Sequence, residues 1–345
     1  MTPDSTLKAA IIGCGGRGRE HAKGYQSASN VHITALADPV AESARSLGLA
    51  HGVAEANQFL DYNEMLGSQK FDIVSVCTWP AQHQEQVLAA IKSGARAIHC
   101  EKPMAPTWGE SRAMHQAAQQ SGVQLTFCHQ RRFNPQFVKA RQLIQSGAIG
   151  QLRRVEGFCP NLFDWGTHWF DMFFFLNNEE PAAWVIGQAD ASRARSVFGV
   201  PVEWAGISFV SFQNGVEGLL VTGPDAWERG AVRAVGTEGI LEIPQADGGD
   251  VRLLSSSASS SSSSSGWQVV DLSDVPRGDS TSLSVVDAIE SLRSGAEPRL
   301  SSRKAVAATE LIFATYESSR LRQRIELPLQ IEDSPLISML AEKAR

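Results

Sequence analysis

The chain has 345 residues, of which 43% are hydrophobic and 20% charged, enough for two domains with their own cores at about 100–200 residues each. A net charge of -6 argues against a nucleic-acid partner. The five cysteines, Cys14, Cys77, Cys100, Cys128 and Cys159, are odd in number and form no Cys-x-x-Cys pair. Neither a disulfide framework nor a zinc knuckle is indicated, and no metal site is expected.

Met1-Thr2-Pro3-Asp4 is not a basic segment leading into an apolar one. No run approaches the roughly 18 apolar residues of a membrane span. A soluble, cytoplasmic protein with no membrane partner is expected.

In chain order, the apolar run Leu7–Ile12 leads into Gly13-Cys14-Gly15-Gly16-Arg17-Gly18 and then a helical pattern over residues 19–29. A second strand, Val31–Ala37, ends in Asp38, 20 residues past Gly18. Strand, glycine turn, helix and an acid closing the next strand are the signature of a dinucleotide site. The first glycine permits the tight turn, the second lets the backbone approach a pyrophosphate, and the third lets helix and strand pack closely. Amides at the helix N-terminus then face the phosphates. Asp38 can accept hydrogen bonds from both ribose hydroxyls, and its charge repels a 2′-phosphate. Pro39 and Val40 supply no arginine to reverse that preference, so NAD is expected rather than NADP. Arg17 either lies near the pyrophosphate or a substrate anion, or projects into solvent from the first helical turn.

Residues 71–78 form a β-branched, near-continuous apolar strand of the kind buried on both faces of a parallel sheet. Pro80 opens a helix to about Ser93, closed by Gly94; a strand over 95–100 then empties into Glu101-Lys102-Pro103. A helix over 107–121, Gly122 and a strand over 123–127 complete an alternation that demands a parallel sheet with helices on both faces. Glu101-Lys102-Pro103 is either a solvated turn or an ammonium placed where such sheets bind ligands.

From Arg131 the pattern changes. A helix over 135–146 and a strand over 151–158 precede a strand-rich region. Gln213-Asn214-Gly215 between two alternating runs signals a hairpin, and Gly236-Thr237-Glu238-Gly239 marks another turn. A mainly antiparallel open sheet is expected, with one face free for a partner subunit. The serine tract over 255–265 cannot bury apolar area and is expected to be a mobile hairpin loop. Two helices, over 282–294 and 303–321, close the chain, the second packing back on the sheet. The domains expected are residues 1–128, a Rossmann dinucleotide-binding domain, and residues 129–345, an α+β substrate-binding and oligomerisation domain.

The second chemical signal is Asp164-Trp165-Gly166-Thr167-His168-Trp169-Phe170-Asp171, expected to open a helix that continues to Leu176. Asp164 and His168, four apart, would share one helix face. They can present a general base with a neighbouring carboxylate, or Asp164 only caps the helix and His168 fills the core. Asp171 reads as a buried hydrogen-bond acceptor. Trp165 and Trp169 either stack on a sugar ring or belong to the core.

Together these pieces resemble the Gfo/Idh/MocA family, over nearly the whole chain. The marks are the Gly13 to Gly18 turn, Asp38, Thr78 followed by His83, Cys100-Glu101-Lys102-Pro103, and His129-Gln130-Arg131-Arg132-Phe133-Asn134-Pro135. Further along come Gly147-Ala148-Ile149-Gly150, Asp164 with His168, Leu300-Ser301-Ser302-Arg303 and Glu310-Leu311-Ile312-Phe313-Ala314. The resemblance implies catalysis by Lys102, Asp164 and His168 around the nicotinamide and the reacting carbinol. It implies cofactor binding by Gly13, Gly15, Gly16, Arg17, Gly18, Asp38, Thr78, His83, Glu101 and Lys102, and assembly into homodimers or homotetramers. It also implies a cis peptide before Pro103.

The substrate so implied is a sugar, polyol or related secondary alcohol. Two departures alter the substrate side: Trp79-Pro80 stands where many members have Pro-Asn, and no Gly-Gly-Gly run precedes Asp164. The rival readings are an NAD-dependent glycosidase that works by transient oxidation and elimination, and a non-catalytic dinucleotide-binding protein.

Overall fold

The computed structural model describes residues 6–193, 195–226, 232–244, 249–255 and 266–343. The chain divides into two compact units, one holding the residues up to Gln130 together with Gly278–Val306, the other Arg131–Arg277 with Ala307–Arg345. The return of 278–306 to the first unit corrects the expectation of a single boundary after residue 128.

In the first unit, six strands form an all-parallel sheet: β1 (Leu7–Ile12), β2 (Val31–Ala37), β3 (Gln58–Phe59), β4 (Ile73–Val76), β5 (Ala97–Cys100) and β6 (Gln124–Phe127). Their order is β3-β2-β1-β4-β5-β6. This is the doubly wound Rossmann order, which reverses direction between β1 and β4. The crossover helices are α1 (Gly16–Ser27), α2 (Ala41–His51), α3 (Tyr62–Ser68), α4 (Pro80–Ser93) and α5 (Trp108–Ser121).

Local chemistry sets their ends. Pro80 opens α4, and Gly94 closes it in the left-handed conformation at φ +87°. Thr107 and Glu110 form a reciprocal capping box on α5, which Gly122 ends. Residues of β4 and β5 are buried throughout, and each face of the sheet carries its own apolar cluster. The helix Ser280–Ser294 joins one of these clusters through Val285, Ala288 and Ile289. Gly24 of α1 makes room for it, since a Cβ there would lie 2.6 Å from the Val285 Cβ. This packing is what brings the late segment into the nucleotide-binding unit.

The second unit is built on a nine-stranded sheet, preceded by α6 (Pro135–Gln145) and covered by α7 (Gly166–Leu176). Its strands are β7 (Leu152–Cys159), β8 (Ala182–Ala189), then, after the separate hairpin of β9 (Arg195–Val197) and β10 (Val200–Val202), β11 (Gly206–Phe212) and β12 (Glu217–Thr222). They continue with β13 (Val232–Gly236), β14 (Gly239–Ile243), β15 (Arg252–Ser255), β16 (Trp267–Val269) and β17 (Ile325–Glu326).

The order is β16-β15-β14-β13-β7-β12-β11-β8-β17. Every described pair is antiparallel except β7 with β12, so the expected mainly antiparallel sheet is present. Every residue of α7 is buried. Gly218 on β12 leaves the space its Phe173 ring occupies, 2.8 Å from where a Cβ would stand.

The Ser302–Leu321 helix packs on the sheet as expected, Thr315 meeting Ser208 at 2.8 Å and Ser318 accepting from the Gly187 N–H at 2.9 Å. A further helix, Pro335–Lys343, follows it and corrects the expectation that two helices close the chain. Most of the serine tract, residues 256–265, lies outside the described residues.

Candidate active site

The candidate nucleotide site grows from the carboxyl ends of β1, β2 and β4. Gly13 leaves β1 at φ +88°, and a Cβ there would lie 2.9 Å from the Cys77 carbonyl, so only glycine fits between the two central strands. At Gly18 a Cβ would lie 2.0 Å from the Gly13 carbonyl oxygen, the close packing that lets α1 start beside β1. Gly15 and Gly16 are exposed, with nothing within 4 Å of a Cβ position, so the backbone at the start of α1 is open to a ligand.

Asp38 turns its carboxylate back onto this turn. One oxygen accepts the Cys14 N–H at 2.7 Å and the other the Val40 N–H at 2.8 Å. Beside it opens a cavity of about 250 Å³ lined by Gly13, Asp38, Leu60, Tyr62, Thr78 and Gln86. Ligands of doubly wound sheets bind in this position, at the strand ends where the order reverses. Leu60, Tyr62 and Gln86 were not singled out in the sequence. Leu60 precedes α3, Tyr62 opens it and Gln86 lies within α4; none belongs to a motif, and only the fold brings them to the cavity wall.

Behind the turn lies a buried polar network. Arg17 donates from Nε to Glu101 at 2.7 Å, which excludes the reading of Arg17 as a side chain simply projecting into solvent. His21 Nε2 lies 3.0 Å from the same Glu101 oxygen, and His21 Nδ1 lies 3.0 Å from Ser75 Oγ, itself 2.8 Å from the Tyr25 hydroxyl. Burial alone would raise the Glu101 carboxyl, but the His21 hydrogen bond and the Arg17 charge hold it well below the usual carboxylate range. Glu101 is 2% exposed, so its side chain braces the end of β5 and is turned away from solvent.

His83 is also fully buried, with Nδ1 3.0 Å from the Pro103 carbonyl and Nε2 3.2 Å from that of Thr78. Burial lowers its pKa and keeps the ring neutral. It ties the Thr78 turn to the segment after Lys102. His83 and Glu101 thus both brace the backbone around Lys102 with buried side chains. Lys102 itself is half-buried, and the Lys102-Pro103 bond is cis. Thr78 lines the cavity and donates to Gln86 at 2.5 Å.

The second unit holds Asp164 and His168, both buried. Asp164 is not in the helix: α7 begins at Gly166, which corrects the expectation of two residues on one helical face. Asn161 is the reason. Its side-chain oxygen accepts the Asp164 N–H at 2.7 Å and its carbonyl accepts the Gly166 N–H at 2.8 Å, so the loop caps the helix and Asp164 stands ahead of it.

His168 lies in the first turn, its ring centroid 6.4 Å from that of Trp165. Arg131 sits over both tryptophans, 4.5 Å from the Trp169 centroid and 5.5 Å from that of Trp165. Trp169 is fully buried and donates to the Phe158 carbonyl at 2.7 Å, which makes it core. Asp171 accepts from the buried Arg132 at 2.8 Å and is structural, as expected.

Residues 7–129 match the model of an oxidoreductase family with an NAD-binding Rossmann fold, GFO_IDH_MocA. Over that stretch the chain carries the NAD-binding domain of the Gfo/Idh/MocA oxidoreductases. A D-apiose dehydrogenase from Paraburkholderia graminis is 25% identical over 98% of this chain and 94% of its own length. An inositol 2-dehydrogenase from Salmonella typhimurium is 31% identical over 51% of this chain, and the match spans 56% of that enzyme, little more than half. Among solved structures, a levoglucosan dehydrogenase in complex with NADH superposes with a TM-score of 0.82 at 19% identity, over 94% of this chain and all of that one.

The chain is an NAD-dependent oxidoreductase, and the residues present fit the cofactor. The open backbone at Gly15 and Gly16 and the carboxylate of Asp38 on the cavity wall are the features a dinucleotide requires. Trp79, which stands where many Gfo/Idh/MocA members have proline, is 62% exposed at the start of α4. Among the described residues, no helix is long and apolar enough to cross a membrane.

Proposed function

We propose that the protein oxidises a secondary hydroxyl of a sugar, polyol or closely related compound with NAD as acceptor. The observation that carries the cofactor half is the cavity at the ends of β1, β2 and β4 with Asp38 on its wall. The substrate class is supported by the relatives, whose names specify apiose, inositol and levoglucosan. When bound, NAD supplies the acceptor of a hydride.

The chain's own residues divide the remaining work. Asp38 accepts hydrogen bonds from the ribose hydroxyls, while amides at the start of α1 meet the pyrophosphate. His168 takes the hydroxyl proton as general base, Asp164 orients the hydroxyl or the imidazole, and Lys102 stabilises the oxygen as negative charge develops on it. The sheet of the second unit serves as the surface through which copies assemble into dimers or tetramers.

The test is incubation of the purified protein with NAD and a panel containing D-apiose, myo-inositol, levoglucosan and aryl glycosides, following both NADH absorbance and product identity. NADH formed in step with a ketone or lactone product supports the proposal. Aglycone release without net NADH would replace it with redox-neutral glycoside cleavage.

A further inference from the structure

The loop that presents Asp164 is gripped from both sides by residues that have no part in the chemistry. On one side is Glu203, a fully buried carboxylate between β10 and β11. One of its oxygens accepts the Leu162 N–H at 2.7 Å and the Thr222 hydroxyl at 2.7 Å; the other accepts the Tyr316 hydroxyl at 2.6 Å. On the other side Arg195 donates to the Pro160 carbonyl at 2.6 Å and to the Glu203 and Trp204 carbonyls at 3.0 and 3.2 Å. The guanidinium also lies over the Trp204 ring, 5.3 Å from its centroid.

Pro160 and Leu162 flank Asn161, the residue that orders both Asp164 and the first turn of α7. A carboxylate buried among neutral donors is a costly choice for mere filling, because burial opposes its charge and raises its pKa. What it offers in return is acceptor capacity: no other side chain of that size accepts three hydrogen bonds at once from a loop amide and two hydroxyls.

We infer that Glu203 and Arg195 are positioning residues for the reaction, clamping loop 160–164 so that Asp164 and His168 are held in place for the substrate. This rests on the proposed catalytic roles of Asp164 and His168. Displacing such groups by about 1 Å costs on the order of 100-fold in rate, whereas NAD binding in the other unit is untouched.

Hydrogen exchange and steady-state kinetics on the full chain test it, with NAD and D-apiose, myo-inositol or levoglucosan as probe. Glu203→Ala should speed exchange of the Leu162, Asp164 and Gly166 amides about tenfold or more and lower kcat at least as much, with the KM for NAD within about twofold. Glu203→Gln, whose carbonyl still accepts the Leu162 N–H, should restore most of both. Should Glu203→Ala not fold, Arg195→Met removes the other half of the clamp and is read the same way.

Unchanged exchange at these amides overturns the inference. So does a kcat that stays at the wild-type level in the clamp variants while His168→Ala abolishes turnover. If instead His168→Ala and Asp164→Asn turn over normally, the catalytic reading falls, and the exchange data still report whether the clamp exists.

Discussion

Asp38 reaches back across the glycine turn to accept the Cys14 N–H at 2.7 Å while its other oxygen accepts the Val40 N–H. The carboxylate is therefore held rigidly at the cavity wall by the backbone it terminates. Asp38 also lines the cavity proposed to take the adenosine ribose. Asp38→Ala removes two charge-assisted hydrogen bonds worth roughly 1.5–3 kcal/mol each, so NAD affinity should fall by about 100-fold or more. NADP should lose less, because the repulsion of its 2′-phosphate disappears with the charge. Titration of both cofactors by fluorescence measures this, and an equal loss for the two would remove Asp38 from the ribose site.

Gly18 leaves no room for a methyl group, whose carbon would stand 2.0 Å from the Gly13 carbonyl oxygen. Relief requires α1 to move away from β1, and with it the open backbone at Gly15 and Gly16. Gly18→Ala should cost about 2–4 kcal/mol of stability, as overpacking against backbone does, and weaken NAD binding in parallel. Gly16→Ala, at a position with nothing within 4 Å, should leave stability within about 1 kcal/mol. Thermal melts with and without NAD separate the two, and equal melting temperatures for both variants would contradict the packing argument.

The parts legible in sequence are those whose cause is local. The glycine turn, the acid after β2 and the proline and glycine ends of α4 each follow from a backbone requirement of a few residues, and each is where the sequence places it. What stayed hidden depends on partners far away in the chain. The apolar stripe of Val285, Ala288 and Ile289 shows that its helix buries one face, but nothing in it specifies α1 as the neighbour. Glu203 carries no motif in the sequence, and only Leu162, Thr222 and Tyr316 around it explain its burial. The four-residue spacing of Asp164 and His168 suggests one helix, but α7 begins at Gly166. Asn161, three residues ahead of Asp164, binds the Asp164 N–H and keeps that residue in the loop before the helix.

Two buried histidines and one buried glutamate shape the acid stability of the nucleotide-binding unit. Burial depresses His83 and, with His21 beside it, His99, below the ordinary 6.5. The unfolded chain therefore binds more protons than the folded one once the pH falls below about 6.5, and stability declines from there. Glu101 is depressed below its ordinary 4.5, so its contribution is present above that value and lost as the pH falls further. The expected acid limb begins near pH 6.5, at up to about 1.4 kcal/mol per pH unit for each group, and steepens below 4.5. His99→Gln should flatten the upper part and Glu101→Gln the lower. Urea denaturation between pH 4 and 8 reads both, and a limb insensitive to these changes would mean that other groups carry it.

Along β8 and β11, Gly187 and Ser208 face the Ser302–Leu321 helix, so alternation puts Ile186 and Ile207 on the opposite face, where they are 48% and 45% exposed. Phe209 pairs with Ile186 across the two strands. An apolar face of this kind suits an interface between copies, for which a stable dimer buries about 1,200–2,000 Å². The double variant Ile186→Asp with Ile207→Asp should halve the mass seen by light scattering or shift it toward monomer at micromolar concentration. A wild-type protein that is already monomeric at high concentration would remove the assembly proposal.

Lys102 follows the buried end of β5, where the next residue, Glu101, is held by Arg17 and His21, and His83 lies 3.0 Å from the Pro103 carbonyl. The lysine is thus presented by a rigid support, while its ammonium is the group proposed to meet developing negative charge. Lys102→Ala should lower kcat by about 100- to 1,000-fold, the usual cost of removing one such donor, and leave the Kd for NAD within a few-fold. His168→Ala should lose a comparable factor through a different step, and its residual activity should rise with pH as hydroxide replaces the missing base. If Lys102→Ala instead raises the Kd for NAD by the same factor that turnover falls, the side chain holds the cofactor and takes no part in stabilising the reacting oxygen.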